Sequence, residues 1–326
     1  MIRTILIGLV AALTVSPVLA QAPSRSVAVT FDDLPYQASE AALCEPATAR
    51  DLTRGLISVL HPLDTRATVF FNEGKVCEER RATLLPELLN LWLDAGFEVG
   101  NHTFSHINIH RNTVEAYLAD VDRGAEVTRP VLEARGQRLQ WFRHPYLFTG
   151  ETPEKHDALA AGLAQRGYDV APVTIDNVDW MFGDVYRKAE QLNDPALKAR
   201  VADAYVAYMT TVLDHFEPYS AELTGGREPA QVLLLHANTL NRDHYPRIHA
   251  LYLARGYRFG PLATALQDPV YAHADTYVRA NGISWLHRWT KTDARPIRWE
   301  PEPPAWIVEA NKGTAEDLAR SVAAGN

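Results

Sequence analysis

Hydrophobic and polar positions alternate along Ser26–Phe31 (SVAVTF), and the β-branched residues in that run predict a strand that stops at the turn sequence Asp32-Asp33-Leu34-Pro35. Ala47–Leu60 reads as a helix and Ala67–Phe71 (ATVFF) as a second strand. Thr83–Ala95 places apolar residues at helical spacing and ends at Gly96, a good C-terminal cap. Phe97–Asn101 predicts a short strand and Thr113–Glu133 one long amphipathic helix. Strand-like runs return at Trp141-Phe142, Asp169–Val173, Val232–Leu235 and, more weakly, Tyr257–Phe259. Strands that alternate with helices imply βαβ units and a parallel sheet. Asp184–Tyr219 is helical and polar and reads as an insertion between two late strands. The chain beyond Asp268 is rich in Pro and Trp without a clear period, and is expected to wrap the surface irregularly.

The first 20 residues form a separate object. Arg3 precedes the apolar run Ile5–Val15, and Val18-Leu19-Ala20 supplies a small residue at a cut, which is the pattern of a secretory signal peptide cleaved near Ala20. The run is too short for a membrane anchor, which needs about 20 apolar residues. Export to the periplasm or the medium is therefore expected, with no anchor after cleavage. In an oxidising compartment the two cysteines, Cys44 and Cys77, form a plausible disulfide, with two free thiols as the alternative. So few cysteines exclude a Cys-rich zinc module. With 32 Lys+Arg against 40 Asp+Glu, a net charge of −8 and no basic block, nucleic-acid and anionic-membrane binding are disfavoured.

Candidate chemistry gathers after the strands, where α/β barrels carry their reactive groups. Adjacent carboxylates at Asp32 and Asp33 are expected to point to different sides, so that one can bind a metal while the other faces a substrate. His102 and His106 follow the strand Phe97–Asn101 at i, i+4, a spacing that puts both on one helical face and lets them share an ion. His106 and His110 repeat that spacing and compete as a pair. One Asp with two His makes three protein ligands and leaves zinc an open position, as in catalytic sites; Co²⁺, Ni²⁺ or Fe²⁺ would also fit.

These residues resemble the polysaccharide deacetylases, carbohydrate esterase family 4, also called NodB-homology domains. The resemblance rests on Thr30-Phe31-Asp32-Asp33 followed by His102-Thr-x-x-His106, then Arg143-His144-Pro145-Tyr146, Asp176-Asn-Val-Asp179-Trp180 and Leu233-Leu234-Leu235-His236, in that order. Together they span Ser26 to about Ala265. The resemblance implies a distorted (β/α)7 barrel over residues 21–268, with a helical insertion at about 184–219 and a C-terminal extension over 269–326. It also implies one catalytic metal held by Asp33, His102 and His106, with Asp32 as general base and His236 as general acid. Arg143 would pair with Asp32 and hold it ionised, and Asp179 would position both Arg143 and His236. Tyr146, Trp180 and Leu234 would meet the substrate, Tyr146 through its backbone N–H and Leu234 at the acetyl methyl.

The implied activity is hydrolysis of N-acetyl groups on an amino-sugar glycan, with no organic cofactor. O-acetyl glycans or small amides are the alternative substrates, and a non-catalytic glycan-binding protein is the alternative class. Three positions depart from the family pattern: Leu34 and Leu147 stand where glycine, or glycine or asparagine, is common, and Ala237 where aspartate is frequent. None removes a ligand or a proton-transfer group. Trp285 and Trp289 read either as sugar-stacking platforms or as core.

Overall fold

The computed structural model describes residues 25–37 and 45–323. The expected signal segment and Cys44 lie outside the described residues. Among those described, no cysteine is free and no helix is long and apolar enough to cross a membrane.

Seven parallel strands carry the fold: β1 (Arg25–Leu34), β2 (Thr68–Phe71), β3 (Glu98–Asn101), β4 (Trp141–Phe142), β5 (Asp169–Val170), β6 (Gln231–His236) and β7 (Tyr257–Phe259). Their order is β5-β4-β3-β2-β1-β6, with β7 added to the start of β1. The sheet curls until its ends meet. Ile175 bridges Leu233 in parallel, the Ile175 N–H reaches Val232 O at 3.0 Å, and the Leu234 N–H reaches Ile175 O at 3.2 Å. The result is the distorted (β/α)7 barrel expected from the sequence. Its seam lies between Val170 and Thr174, where the second half of the expected strand Asp169–Val173 leaves β5. There the Trp285 N–H, from the C-terminal extension, bonds Val173 O at 2.6 Å.

Alternation along β1 sorts the two cores. Val27, Val29 and Phe31 face the helices, whereas Ala28 packs inside the barrel with Phe70, Trp141, Ala171 and Val232. Thr30 and Asp32 share the inward parity of Ala28. Gly100 on β3 makes room for this interior, since a β-carbon there would stand 2.4 Å from the Phe70 ring.

The helices that flank the sheet are α1 (Pro46–Leu60), α2 (Glu78–Asp94), α3 (Val114–Arg123), α4 (Thr128–Glu133), α5 (Pro153–Gln165), α6 (Asp179–Gln191), α7 (Pro195–Leu223), α8 (Thr239–Ala254) and the short α9 (Leu262–Ala265). Three expectations need correction. The single helix Thr113–Glu133 is two, α3 and α4, parted at Gly124. A β-carbon at Gly124 would stand 2.7 Å from the Thr103 backbone, so the helix turns where it packs on the histidine loop. The insertion is likewise two helices, α6 beginning at Asp179 and α7 running to Leu223, with Asp194 capping Leu197 N–H at 2.9 Å between them. The C-terminal extension is not irregular throughout, because it holds α10 (Trp285–Thr292), α11 (Ala305–Lys312) and α12 (Ala315–Ala323). Trp285 and Trp289 are buried, which settles them as core.

Cys77 is the residue preceding α2, and its expected partner Cys44 lies beyond the described residues. On the chain-entropy view such a bridge would stabilise the fold by about 3–4 kcal/mol. Thiol titration of the unfolded, unreduced protein is expected to find almost none. Two titratable thiols per chain would remove the disulfide.

Candidate active site

Strand ends build a cleft of about 520 Å³, and Asp32, Asp33, His102, His106, Tyr146, Trp180, Leu234 and His236 all line it. Strict alternation would turn Asp33 away from the barrel. Instead the β1 register shifts between Phe31 and Leu34, and Asp33 takes a left-handed backbone at φ 68°. Both carboxylates therefore face one cleft, contrary to the expectation of opposite sides.

His102 and His106 lie on a loop after β3, not on a helix. Left-handed Thr103 (φ 65°) and His106 (φ 54°) fold that loop back. Asn101 holds it by accepting from the Thr103 N–H at 2.7 Å, and the Asn72 amide donates to the carbonyls of His102 and Thr103. Four non-glycine residues that line the cleft, Asp33, His106, Tyr146 and Leu147, have positive φ, as does the buried Thr103 beside them. Each such conformation costs on the order of 1–3 kcal/mol, and strain of this kind collects where a site over-determines its backbone. The competing histidine, His110, is directed elsewhere: its ring stacks on Phe148 at 4.1 Å and faces Glu151 at 3.7 Å.

Asp33, His102 and His106 each offer a donor atom, all within 4.8 Å of one another. His106 Nε2 is 3.6 Å and His102 Nε2 4.0 Å from Asp33 Oδ1. His102 Nδ1 lies 2.8 Å from Arg143 O; a carbonyl only accepts, so Nδ1 carries the proton and Nε2 presents a lone pair to the cluster. Burial keeps both rings neutral, lowering His102 well below the ordinary range and His106 to about 4. Burial works to raise Asp33, but Lys75, then His106, His236 and His102, outweigh it and hold the carboxyl well below the usual range. Lys75 Nζ sits 2.7 Å from Asp33 Oδ1, close enough for an ion pair but not aligned as a hydrogen bond, so that oxygen keeps no hydrogen-bond partner. Two neutral imidazoles and an ionised carboxylate, with their donor atoms within 4.8 Å of one another, fit a divalent cation of the zinc class.

Asp32 is nearly buried and accepts from Arg143 Nη1 at 3.2 Å on both oxygens. The expectation that Arg143 pairs with Asp32 is met in geometry. Its effect is smaller than expected, because burial outweighs the guanidinium and raises Asp32 to about 6. The rest of Arg143 is fixed by Ala171 O at 2.8 Å and Thr30 Oγ1 at 3.0 Å.

His236 pairs in register with Asp32 across β6 and β1. Its Nδ1 is 2.7 Å from Asp179 Oδ1, and its backbone N–H donates to Asp179 Oδ2 at 2.8 Å. Burial would lower this imidazole, yet Asp179 overrides it and raises His236 to about 9. Among the described residues no hydrogen bond or ion pair joins Asp179 to Arg143, so its expected second role is withdrawn. Its remaining bond is from Asn241 Nδ2 at 2.7 Å, and Asn241 is itself held by the Tyr205 hydroxyl of α7 at 2.9 Å. Asn72, Lys75, Asn101 and Asn241 were not legible in the sequence, since lone polar residues carry no spacing signal.

The walls are aromatic. Tyr146 (49% exposed) and Trp180 (39% exposed) stand at the rim while Leu234 is buried at the floor. The Tyr146 ring lies 4.4 Å from His106 and 5.3 Å from Phe148. Among the described residues the Tyr146 N–H has no protein acceptor.

The family model described as polysaccharide deacetylase matches residues 20–180. No curated protein matches. Solved structures similar to this chain include a family 4 carbohydrate esterase from Streptomyces lividans in complex with acetate, 21% identical, covering 73% of this chain and 93% of that one with a TM-score of 0.44. Another is the peptidoglycan deacetylase PdaC from Bacillus subtilis, 20% identical, covering 75% of this chain and 91% of that one with a TM-score of 0.45. A third is a CE4 family pseudoenzyme from Bacillus anthracis, 16% identical over 75% of this chain and 66% of that one, TM-score 0.45. The profile match joins the same Asp pair, His pair and Arg143–Tyr146 segment that converge in the cleft, and it identifies residues 20–180 of this chain with the polysaccharide deacetylase family.

Proposed function

We propose that this chain is an exported, metal-dependent deacetylase that hydrolyses N-acetyl groups of an amino-sugar glycan. The observation that carries the reading is the convergence, at one barrel end, of a metal-competent triad with an Asp and a His that strand register sets side by side. Export rests on Arg3, the run Ile5–Val15 and Ala20. Asp33, His102 and His106 would hold a divalent ion, zinc by donor type, which when bound activates water and polarises the acetyl carbonyl.

The chain's own groups supply the rest. Asp32 accepts the proton of the attacking water; ionised above about 6, it is a competent base near neutrality. Arg143 keeps that carboxylate oriented. The Tyr146 N–H donates to the oxyanion as it forms. His236, protonated below about 9, delivers a proton to the departing nitrogen, which is otherwise too basic to leave. Tyr146 and Trp180 offer ring faces to the sugar, and Leu234 floors the slot for the acetyl methyl.

Purified protein with zinc is expected to release acetate from N-acetylated chitooligosaccharides or peptidoglycan. Chelation should abolish release and added zinc restore it. Acetate from acetyl-xylan alone would move the reaction to esters, and none from any substrate would leave a glycan-binding protein.

A further inference from the structure

Two consecutive residues of the cleft wall, Tyr146 (φ 58°) and Leu147 (φ 54°), are held in left-handed backbone. Neither is glycine, so β-carbon crowding drives the loop out of this form unless something holds it. The loop's own bonds, Leu147 N–H to His144 O and Phe148 N–H to Pro145 O, are both 3.1 Å. Bonds of that kind also close ordinary right-handed turns, so they do not select the left-handed one.

The C-terminal extension reaches this loop. Arg288 of α10 is 1% exposed. It donates Nη2 to Leu147 O at 2.7 Å, 141 residues away in sequence, and Nη1 to Thr149 Oγ1 at 2.9 Å. Asp275 Oδ2 at 3.2 Å balances its charge, and the guanidinium lies over the rings of Trp285 at 4.7 Å and Tyr277 at 5.2 Å. Gly282 closes on the same loop: a β-carbon there would stand 1.7 Å from Tyr146 O. Apolar residues could fill this space without taking a charge from water, so a buried arginine is poorly explained by stability alone. One of its loop acceptors is the carbonyl of the strained Leu147 itself, and the other, Thr149, lies two residues further on.

We propose that the segment Tyr277–Trp289, through Arg288 and Gly282, is a positioning element of the catalytic centre. It locks Tyr146 and Leu147 in left-handed backbone and so fixes the Tyr146 N–H where the oxyanion forms. The lock supplies from outside the loop what a glycine at position 147 would supply from within. The oxyanion part rests on the deacetylase reading; the lock itself does not.

The test uses the full mature chain with zinc, an N-acetylated chitooligosaccharide and acetate as readout. Arg288→Met keeps volume and removes the donors. It is expected to lower kcat by on the order of 10²-fold, the scale of a misplaced reacting geometry, with KM little changed and zinc near one per chain. Adding Leu147→Gly to Arg288→Met is expected to restore most of the lost kcat, a rescue that a purely structural arginine would not show. Wild-type kcat in Arg288→Met, or a loss that Leu147→Gly leaves untouched, overturns the proposal. If Arg288→Met does not fold, Gly282→Ala decides in the same assay, with the same fall in kcat expected and wild-type kcat overturning it. Amide exchange of residues 144–150 separates this from the activity reading. Should the wild type release no acetate, that reading fails, while faster exchange in Arg288→Met still supports the lock and unchanged exchange overturns it.

Discussion

Asp32→Asn is expected to keep metal content near one ion per chain while turnover falls by a factor on the order of 10²–10⁴, the usual worth of a general base. The substitution preserves shape, and the amide oxygen can still accept from Arg143 Nη1, now 3.2 Å from both carboxylate oxygens. Proton acceptance is lost, together with the charge opposite Arg143 and one of its two hydrogen bonds. Asp33→Ala removes one of the three donors, so metal affinity should fall steeply and activity with it. It also strands the Lys75 ammonium beside the vacated position, which adds repulsion toward any cation. Excess zinc should partly rescue Asp33→Ala and leave Asp32→Asn inactive. Metal analysis by mass spectrometry with acetate release reads both. Loss of metal in Asp32→Asn with retention in Asp33→Ala would exchange the two roles, and no effect of either would remove the pair from the chemistry.

Asp179→Asn is expected to collapse the alkaline side of the pH–rate profile. In the wild type, Asp32 must be ionised and His236 protonated, so activity should rise through about 6 and fall through about 9. The signs follow from the roles: the base gains function on losing its proton, the acid loses function on losing its own. His236 reaches about 9 because Asp179 overrides a burial that on its own lowers the imidazole. An amide at 179 removes the largest of the raising groups and leaves only Asp33 and Asp32 against burial, so the descending limb should move well down from about 9. Near pH 8 the rate should then fall by about tenfold for each unit that the limb moves below pH 8, as the protonated fraction of His236 shrinks. The ascending limb, set by Asp32, should stay. A descending limb that remains near 9 in Asp179→Asn would assign it to another group.

The barrel was legible because its signals are periodic. The alternation in β1 and the apolar runs of β2, β3, β4 and β6 each mark a strand. The paired carboxylates and the His102/His106 spacing stood out because two identical residues at a fixed interval are conspicuous. The helical reading of that interval failed because Asn72, Asn101 and two left-handed residues bend the loop, and sequence spacing does not carry φ. Asp179 was placed correctly beside His236 but wrongly beside Arg143, whose acceptors Thr30 and Ala171 come from strand parity and a backbone carbonyl. Asn241 and Lys75 act alone and leave no pattern. The division of Thr113–Glu133 depended on Gly124 meeting the histidine loop, a contact between distant parts of the chain.

The hydrogen bond from Trp285 N–H to Val173 O at the barrel seam has a temporal meaning. A chain is made and threaded from its N-terminus, and early segments begin to fold before late ones exist. Here every residue named as ligand, base or acid precedes position 237, yet the edge beside them is sealed by a group that emerges almost fifty residues later. A nascent chain can thus own the complete reactive set while its wall is still open. A product truncated within α8 would hold those residues without the Trp285 bond that seals the seam.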